Sequence, residues 1–293
     1  VAEKLKKESA VFTLPFCRQH GATGRESSLG ERVFMIEQKS SSAMLGKWVT
    51  CYHPNARARI RMFCFPFAGG GALTFRTWHD HLPSTVEVCA IQLPGRGNRL
   101  REPPLDRMGP LVQALVPALI PYLDRPFVFF GHSMGALIAF EIARQLRSEF
   151  VIGPKHLFVS GRAAPQIPEA ERRTYDLPEP EFVDELRRLN GTPKEVLEHP
   201  ELLGLMIPIL RADFAICQNY VCSPEAPFSF PLTAFGGLQD EDISRQHLDQ
   251  WREQTTAEFK MQMFPGDHFF LQMAQPLLLQ AIAQELERLT RLV

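Results

Sequence analysis

Phe127-Val128-Phe129-Phe130-Gly131-His132-Ser133-Met134-Gly135-Ala136-Leu137-Ile138-Ala139-Phe140 decides how the chain is read. An apolar, aromatic-rich run enters Gly131, and an amphipathic helical pattern, Met134 to Leu146, leaves it. The Gly-x-Ser-x-Gly between them is a sharp strand-to-helix turn with a serine at its apex. Glycines are required because side chains flanking the serine would clash with the strand and helix. Such a turn lifts the hydroxyl over the end of a sheet, above a helix N-terminus, where a nucleophile is useful.

The sequence on either side supplies a sheet for that turn. Arg59–Phe65 and Val86–Leu93 read as strands before it, and Lys155–Ser160, Phe228–Phe235 and Phe259–Phe264 as strands after it. Helices are expected over Met108–Leu123 (bent at Pro117), Ser244–Gln254 and Gln275–Leu292. Strands alternating with helices imply an α/β domain whose mostly parallel sheet is covered on both faces. From about 163 to 225 the alternation stops. Helical segments Glu181–Leu189, Lys194–Leu203 and Met206–Tyr220, broken by prolines, read as a helical lid inserted between two strands.

Residues 1–55 lack a sustained period and hold Gly21-Ala22-Thr23-Gly24 and Ser40-Ser41-Ser42. They read as an extension, poorly ordered or loosely docked, ahead of a domain at 56–293. Its first residues are charged without a following apolar stretch, so no secretory signal is visible. The longest apolar run, Leu111 to Leu123, is too short to span a membrane. A net charge of −1, with 22% charged and 45% hydrophobic residues, points away from nucleic acid and anionic membrane as general partners. The six cysteines lack metal-type spacing and read as free thiols in a reducing compartment, so a cytoplasmic monomer is expected.

A serine nucleophile needs a base, an acid and an oxyanion hole. His268 follows the last strand in Gly266-Asp267-His268 and is the best base, while His132 should point away from the serine into packing. The acid lies in Gln239-Asp240-Glu241-Asp242 after the preceding strand; Asp240 is favoured, with Asp242 open. The order serine, acid, histidine is that of the α/β-hydrolase fold. The backbone N–H groups of Met134 and Ala68, the latter in the glycine-rich Pro66–Gly71 loop, are the expected oxyanion donors. Arg96, after the second strand, reads either as a contact for an acidic substrate group or as a brace for its own loop. No metal or cofactor is required; the glycine-rich loop lacks Gly-Lys-Ser/Thr and opens no Gly-x-Gly-x-x-Gly.

Taken together, these stretches resemble the type II thioesterases, stand-alone α/β-hydrolases that work beside fatty acid, polyketide and non-ribosomal peptide synthases. The resemblance rests on Phe65–Gly71, Leu93-Pro94-Gly95-Arg96, Gly131–Gly135, Gly191-Thr192-Pro193, Leu210-Arg211-Ala212-Asp213-Phe214, Phe235-Gly236-Gly237 and Gly266–Phe269, in order across about 58–290. It implies a Ser133–Asp240–His268 triad and hydrolysis of acyl thioesters on the phosphopantetheine arm of an acyl- or peptidyl-carrier protein. Removal of stalled or misprimed acyl groups is the expected task. Chain termination in fatty acid synthesis and a non-catalytic carrier-binding scaffold are the alternatives. The acidic loop departs from the family pattern, with two residues between Asp240 and Ile243, and this keeps Asp242 in play.

Overall fold

A computed structural model describes residues 47–168 and 173–292. Its centre is a seven-stranded sheet. In chain order the strands are β1 (Val49–Thr50), β2 (Ile60–Phe65), β3 (Val86–Ile91), β4 (Phe127–His132), β5 (Leu157–Ser160), β6 (Leu232–Gly237) and β7 (Phe259–Phe264). They lie in the order β1-β3-β2-β4-β5-β6-β7. Only β1 runs antiparallel to its neighbour; the other pairs are parallel.

Parallel strands need covered faces, so β2 to β6 are buried along their whole length and mostly apolar, while β7 at the sheet's edge alternates and is only partly buried. Alternation survives as a choice between two cores. Phe63, Phe65, Phe129 and Val159 face one core, shared with α1 (Met108–Leu119) and α2 (Met134–Phe150). Met62, Cys64, Val128, Phe130 and Phe158 face the other, which the C-terminal helix covers. The insertion after β5 holds α3 (Glu179–Leu189), α4 (Lys194–Leu197) and α5 (Pro200–Gln218), with a small core of Phe182, Val183, Leu186, Ile207 and Leu210. Helix α6 (Arg245–Asp249) links β6 to β7, and α7 (Phe270–Met273) and α8 (Gln275–Thr290) close the chain.

Several elements differ from the sequence expectation. The helix after Pro193 was expected to run to Leu203 and another to start at Met206. Instead α4 stops at Leu197, and Pro200 opens α5 at its first turn, where the missing N–H costs nothing. Pro208 sits inside α5 without ending it. Helix α1 passes Pro117 and hands over to a 3₁₀ turn at Ile120–Tyr122.

The extension is also shorter than read. Residues 1–46 lie outside the described residues, but 47–55 belong to the domain. Trp48 is buried beneath the Arg99 guanidinium, 3.8 Å from ring centroid to Cζ, and its carbonyl accepts the Gln92 N–H at 2.9 Å. A two-residue strand has no periodicity to detect, so β1 is invisible in sequence. Its pairing of Thr50 with Ala90 brings Cys51 beside Cys89, with Cα atoms 4.5 Å apart, and the two form a disulfide. The reading of all six cysteines as free thiols is therefore corrected, and with it the argument for a reducing compartment. Cys64 stays a buried thiol, its pKa raised by burial, and Cys17 lies outside the described residues. Among the described residues no helix is long and apolar enough to cross a membrane.

Candidate active site

The turn between β4 and α2 is as tight as its glycines require. A Cβ on Gly131 would stand 2.1 Å from the Gly135 carbonyl oxygen, and one on Gly135 would stand 2.1 Å from that of Phe65. Ser133 takes φ 53°, ψ −116°, and its N–H donates to the Ser160 carbonyl at 2.7 Å. It occupies the N-cap position of α2, yet its side chain caps nothing there. Instead Oγ lies 3.0 Å from His268 Nε2.

His268 arrives from the loop after β7, where Gly266 has φ 118°. Asp267 shapes that loop by accepting the Phe269 N–H at 2.8 Å. The loop after β6 meets it closely. A Cβ on Gly237 would stand 2.3 Å from the Asp267 carbonyl oxygen, and Gln239 Oε1 accepts the Gly266 N–H at 2.6 Å. This contact places Asp240 Oδ2 2.8 Å from His268 Nδ1. Asp240 Oδ1 accepts the N–H groups of Asp242 and Ile243 at 3.1 and 3.0 Å, so both carboxylate oxygens are engaged and the side chain is buried. With Nδ1–H donating to the carboxylate, Nε2 is left to accept the serine proton.

Asp242 is brought to a different place. It is exposed and pairs with Arg188 of α3 at 3.2 Å. The longer acidic loop thus turns one carboxylate inward and the other outward. His132 points into packing: Nδ1 contacts Ser160 Oγ at 2.9 Å, and the ring lies 5.3 Å from that of His268. Burial, then the neighbouring His268, holds its pKa well below the ordinary histidine value, so it stays neutral.

The Pro66–Gly71 loop passes over the serine. Gly69, at φ 78°, donates its N–H to Asp213 Oδ2 at 2.7 Å, and the Gly70 N–H reaches the Phe67 carbonyl at 2.9 Å. Arg96 proves to be a brace, although not only for its own loop. It grips Asp213 with two bonds, Nη1 to Oδ2 at 2.5 Å and Nη2 to Oδ1 at 2.7 Å, with both side chains buried. Asp213 was visible in the sequence only as part of a resemblance. The signal that could have singled it out is a carboxylate within the apolar run Ile207–Cys217, a setting that demands a buried partner.

Ser133, His268 and Ala68 open onto a cavity of about 560 Å³ beneath the insertion. Leu186, Leu210, Phe214, Ile243 and Phe269 make its apolar wall, while Thr174, Gln218 and Glu185 add polar groups. A covered, largely apolar chamber with one hydroxyl–imidazole–carboxylate chain at its mouth suits nucleophilic attack on a bound acyl group.

Comparison with known proteins agrees. A family model described as "Thioesterase domain" matches residues 60–289. The gramicidin S biosynthesis protein GrsT of Aneurinibacillus migulanus is 48% identical over 229 residues, covering 78% of this chain and 90% of that protein. Two solved structures superpose with a TM-score of 0.75 each. One is the type II thioesterase BorB from the borrelidin biosynthetic cluster, 33% identical and covering 81% of this chain and 96% of that one. The other is RedJ, the thioesterase from the prodiginine pathway of Streptomyces coelicolor, 38% identical and covering 79% and 87%. The chain belongs to the thioesterase family, with the α/β-hydrolase fold and the type II thioesterases as its kin, and is a hydrolase of thioesters.

Proposed function

We propose that this protein is a serine thioesterase that clears acyl groups from the phosphopantetheine arm of a carrier protein in a peptide or polyketide assembly line. The carrying observation is the unbroken chain from Ser133 through His268 to Asp240, at 3.0 and 2.8 Å, opening into a covered cavity. Ser133 Oγ attacks the thioester carbonyl as His268 Nε2 takes its proton, and Asp240 steadies the resulting imidazolium. The N–H groups of Met134 and Ala68 hold the oxyanion; neither has another acceptor among the described residues. The pantetheine thiol leaves with the proton from His268. Water, deprotonated by the same imidazole, then releases the carboxylic acid and frees the serine.

The biosynthetic settings of GrsT, BorB and RedJ support an assembly-line role over chain termination in fatty acid synthesis. The protein acts as a monomer that meets its carrier partner transiently.

The test is a panel of acyl-carrier protein, acyl-CoA and p-nitrophenyl ester substrates compared by kcat/KM. Carrier-bound thioesters should lead, and a preference for plain esters would overturn the reading. Ser133→Ala should abolish turnover. Asp240→Asn should lower kcat by up to about 10⁴-fold, while Asp242→Asn leaves it within about threefold. Equal small losses would remove Asp240 from the triad.

A further inference from the structure

We infer that Asp213, carried by the inserted helix α5, is a positioning residue that sets the Ala68 oxyanion donor; this rests on the serine mechanism proposed above. The argument begins with peptide planarity. The Phe67 carbonyl and the Ala68 N–H belong to one trans peptide and point in opposite directions. The Gly70 N–H holds that carbonyl at 2.9 Å, which turns the Ala68 N–H the other way. The next peptide is fixed as well, because its N–H, on Gly69, donates to Asp213 at 2.7 Å. Arg96 holds the following segment through the Gly70 carbonyl at 3.3 Å while gripping Asp213 with two further bonds. Gln92 Oε1 receives the Ala72 N–H at 3.0 Å. The donor at residue 68 thus has its own peptide and the following one pinned, and remains unengaged among the described residues.

The anchor is unusual in its origin. Asp213 comes from the insertion, 144 residues beyond Gly69. Three residues earlier on the same helix face, Leu210 reaches the loop: its Cδ2 is 2.7 Å from where a Cβ on Gly69 would stand. Leu210 and Phe214 also form cavity wall. The helix that touches the acyl chain is therefore the helix that aims the oxyanion donor. A shift of α5 by an ill-fitting acyl group would misdirect the Ala68 N–H, so acyl selectivity enters through the chemical step as well as through binding.

Two variants test this. Asp213→Asn keeps an acceptor for Gly69 but loses the charge that holds Arg96. The pair Arg96→Met with Asp213→Leu removes both charges, leaving none buried alone, and retains a foldable alternative should the first variant collapse. In folded protein, checked by circular dichroism, kcat should fall about 10- to 100-fold with KM within about threefold, a fraction of the loss from removing a donor outright. Affinity for an acyl trifluoromethyl ketone, which Ser133 converts to a hemiketal oxyanion, should fall by the same factor. Binding of uncleaved acyl-pantetheine in a Ser133→Ala background should not change.

Retention of kcat in either folded variant would overturn the inference. So would a parallel loss of ground-state binding, which would mark Asp213 as a mere rivet of the insertion. If wild type hydrolyses thioesters and Ser133→Ala does not, the serine mechanism stands whichever way Asp213 falls. If wild type hydrolyses none, both fail.

Discussion

Helices α3 and α5 belong to the same insertion and share one small core, yet they are fastened to the sheet domain in opposite ways. Helix α5 enters through a buried carboxylate that meets a buried guanidinium and a backbone N–H. Helix α3 touches the domain at its rim: Arg188 pairs with Asp242 at 3.2 Å, and Asn190 Nδ2 donates to Asp267 at 3.1 Å, both among exposed side chains. A buried, fully bonded pair is costly to break because one charge is stranded, whereas an exposed pair competes with water and salt. Within the insertion, α5 is fastened to the domain at depth and α3 at its rim. Helix α3 ends at the loops that carry Asp240 and His268, so its rim contacts adjoin the site.

The contrast can be broken most directly at Arg96. Arg96→Ala leaves Asp213 charged and buried without its partner, and chemical denaturation should show a loss of about 3–5 kcal/mol. A loss below about 1 kcal/mol would mean that α5 is no better anchored than α3.

Acid offers a second probe. His156 is buried, with Nε2 2.9 Å from Thr233 Oγ1, and its pKa is pushed down to about 3 by burial and then by Arg288 and Lys260. His132 is depressed by burial as well. The unfolded chain therefore takes up protons that the folded chain refuses once the pH drops below the ordinary histidine value of 6.5. Stability is full above that value and declines below it, by up to about 1.4 kcal/mol per pH unit for each of the two imidazoles. For His156 the decline extends down to about pH 3. Hydrogen exchange in α5, if it opens only with the whole domain, should follow this decline. Exchange in α3, if it opens locally, should not, and His156→Gln should flatten the α5 profile.

The smallest effect is expected at Arg188. Arg188→Gln should cost no more than about 1 kcal/mol globally while speeding exchange in α3, and added salt should mimic it in the wild type. Exchange that is unchanged would make the rim contacts irrelevant to the local stability of α3.

What the sequence revealed follows the reach of its signals. The β4–Ser133–α2 turn was legible because glycine spacing, apolar run and helical period fall within a few residues. His268 and Asp240 were legible as loop residues after strands, with Asp240 already favoured over Asp242. The tight contact at Gly237 gives the physical reason that Asp240 is the one turned toward His268. Arg96 and Asp213 lie 117 positions apart, and nothing local pairs them. The disulfide of Cys51 with Cys89 depended on β1, which is too short to announce itself. Long-range pairings that no motif announces were the blind spot, and they are the contacts that fasten α5 and β1 to the rest.

Ser133 also carries a meaning for durability. A serine at the start of a helix ordinarily accepts a bond from an amide of the first turn, which stabilises a protein by about 1 kcal/mol. Here φ of 53° turns the hydroxyl away from that duty and toward an imidazole. The first amides of α2 are left facing the place where negative charge would collect. A chain selected only to survive heat would relax this residue into an ordinary cap and fall silent. The serine's positive φ thus gives up a cap's stability for a hydroxyl within reach of His268.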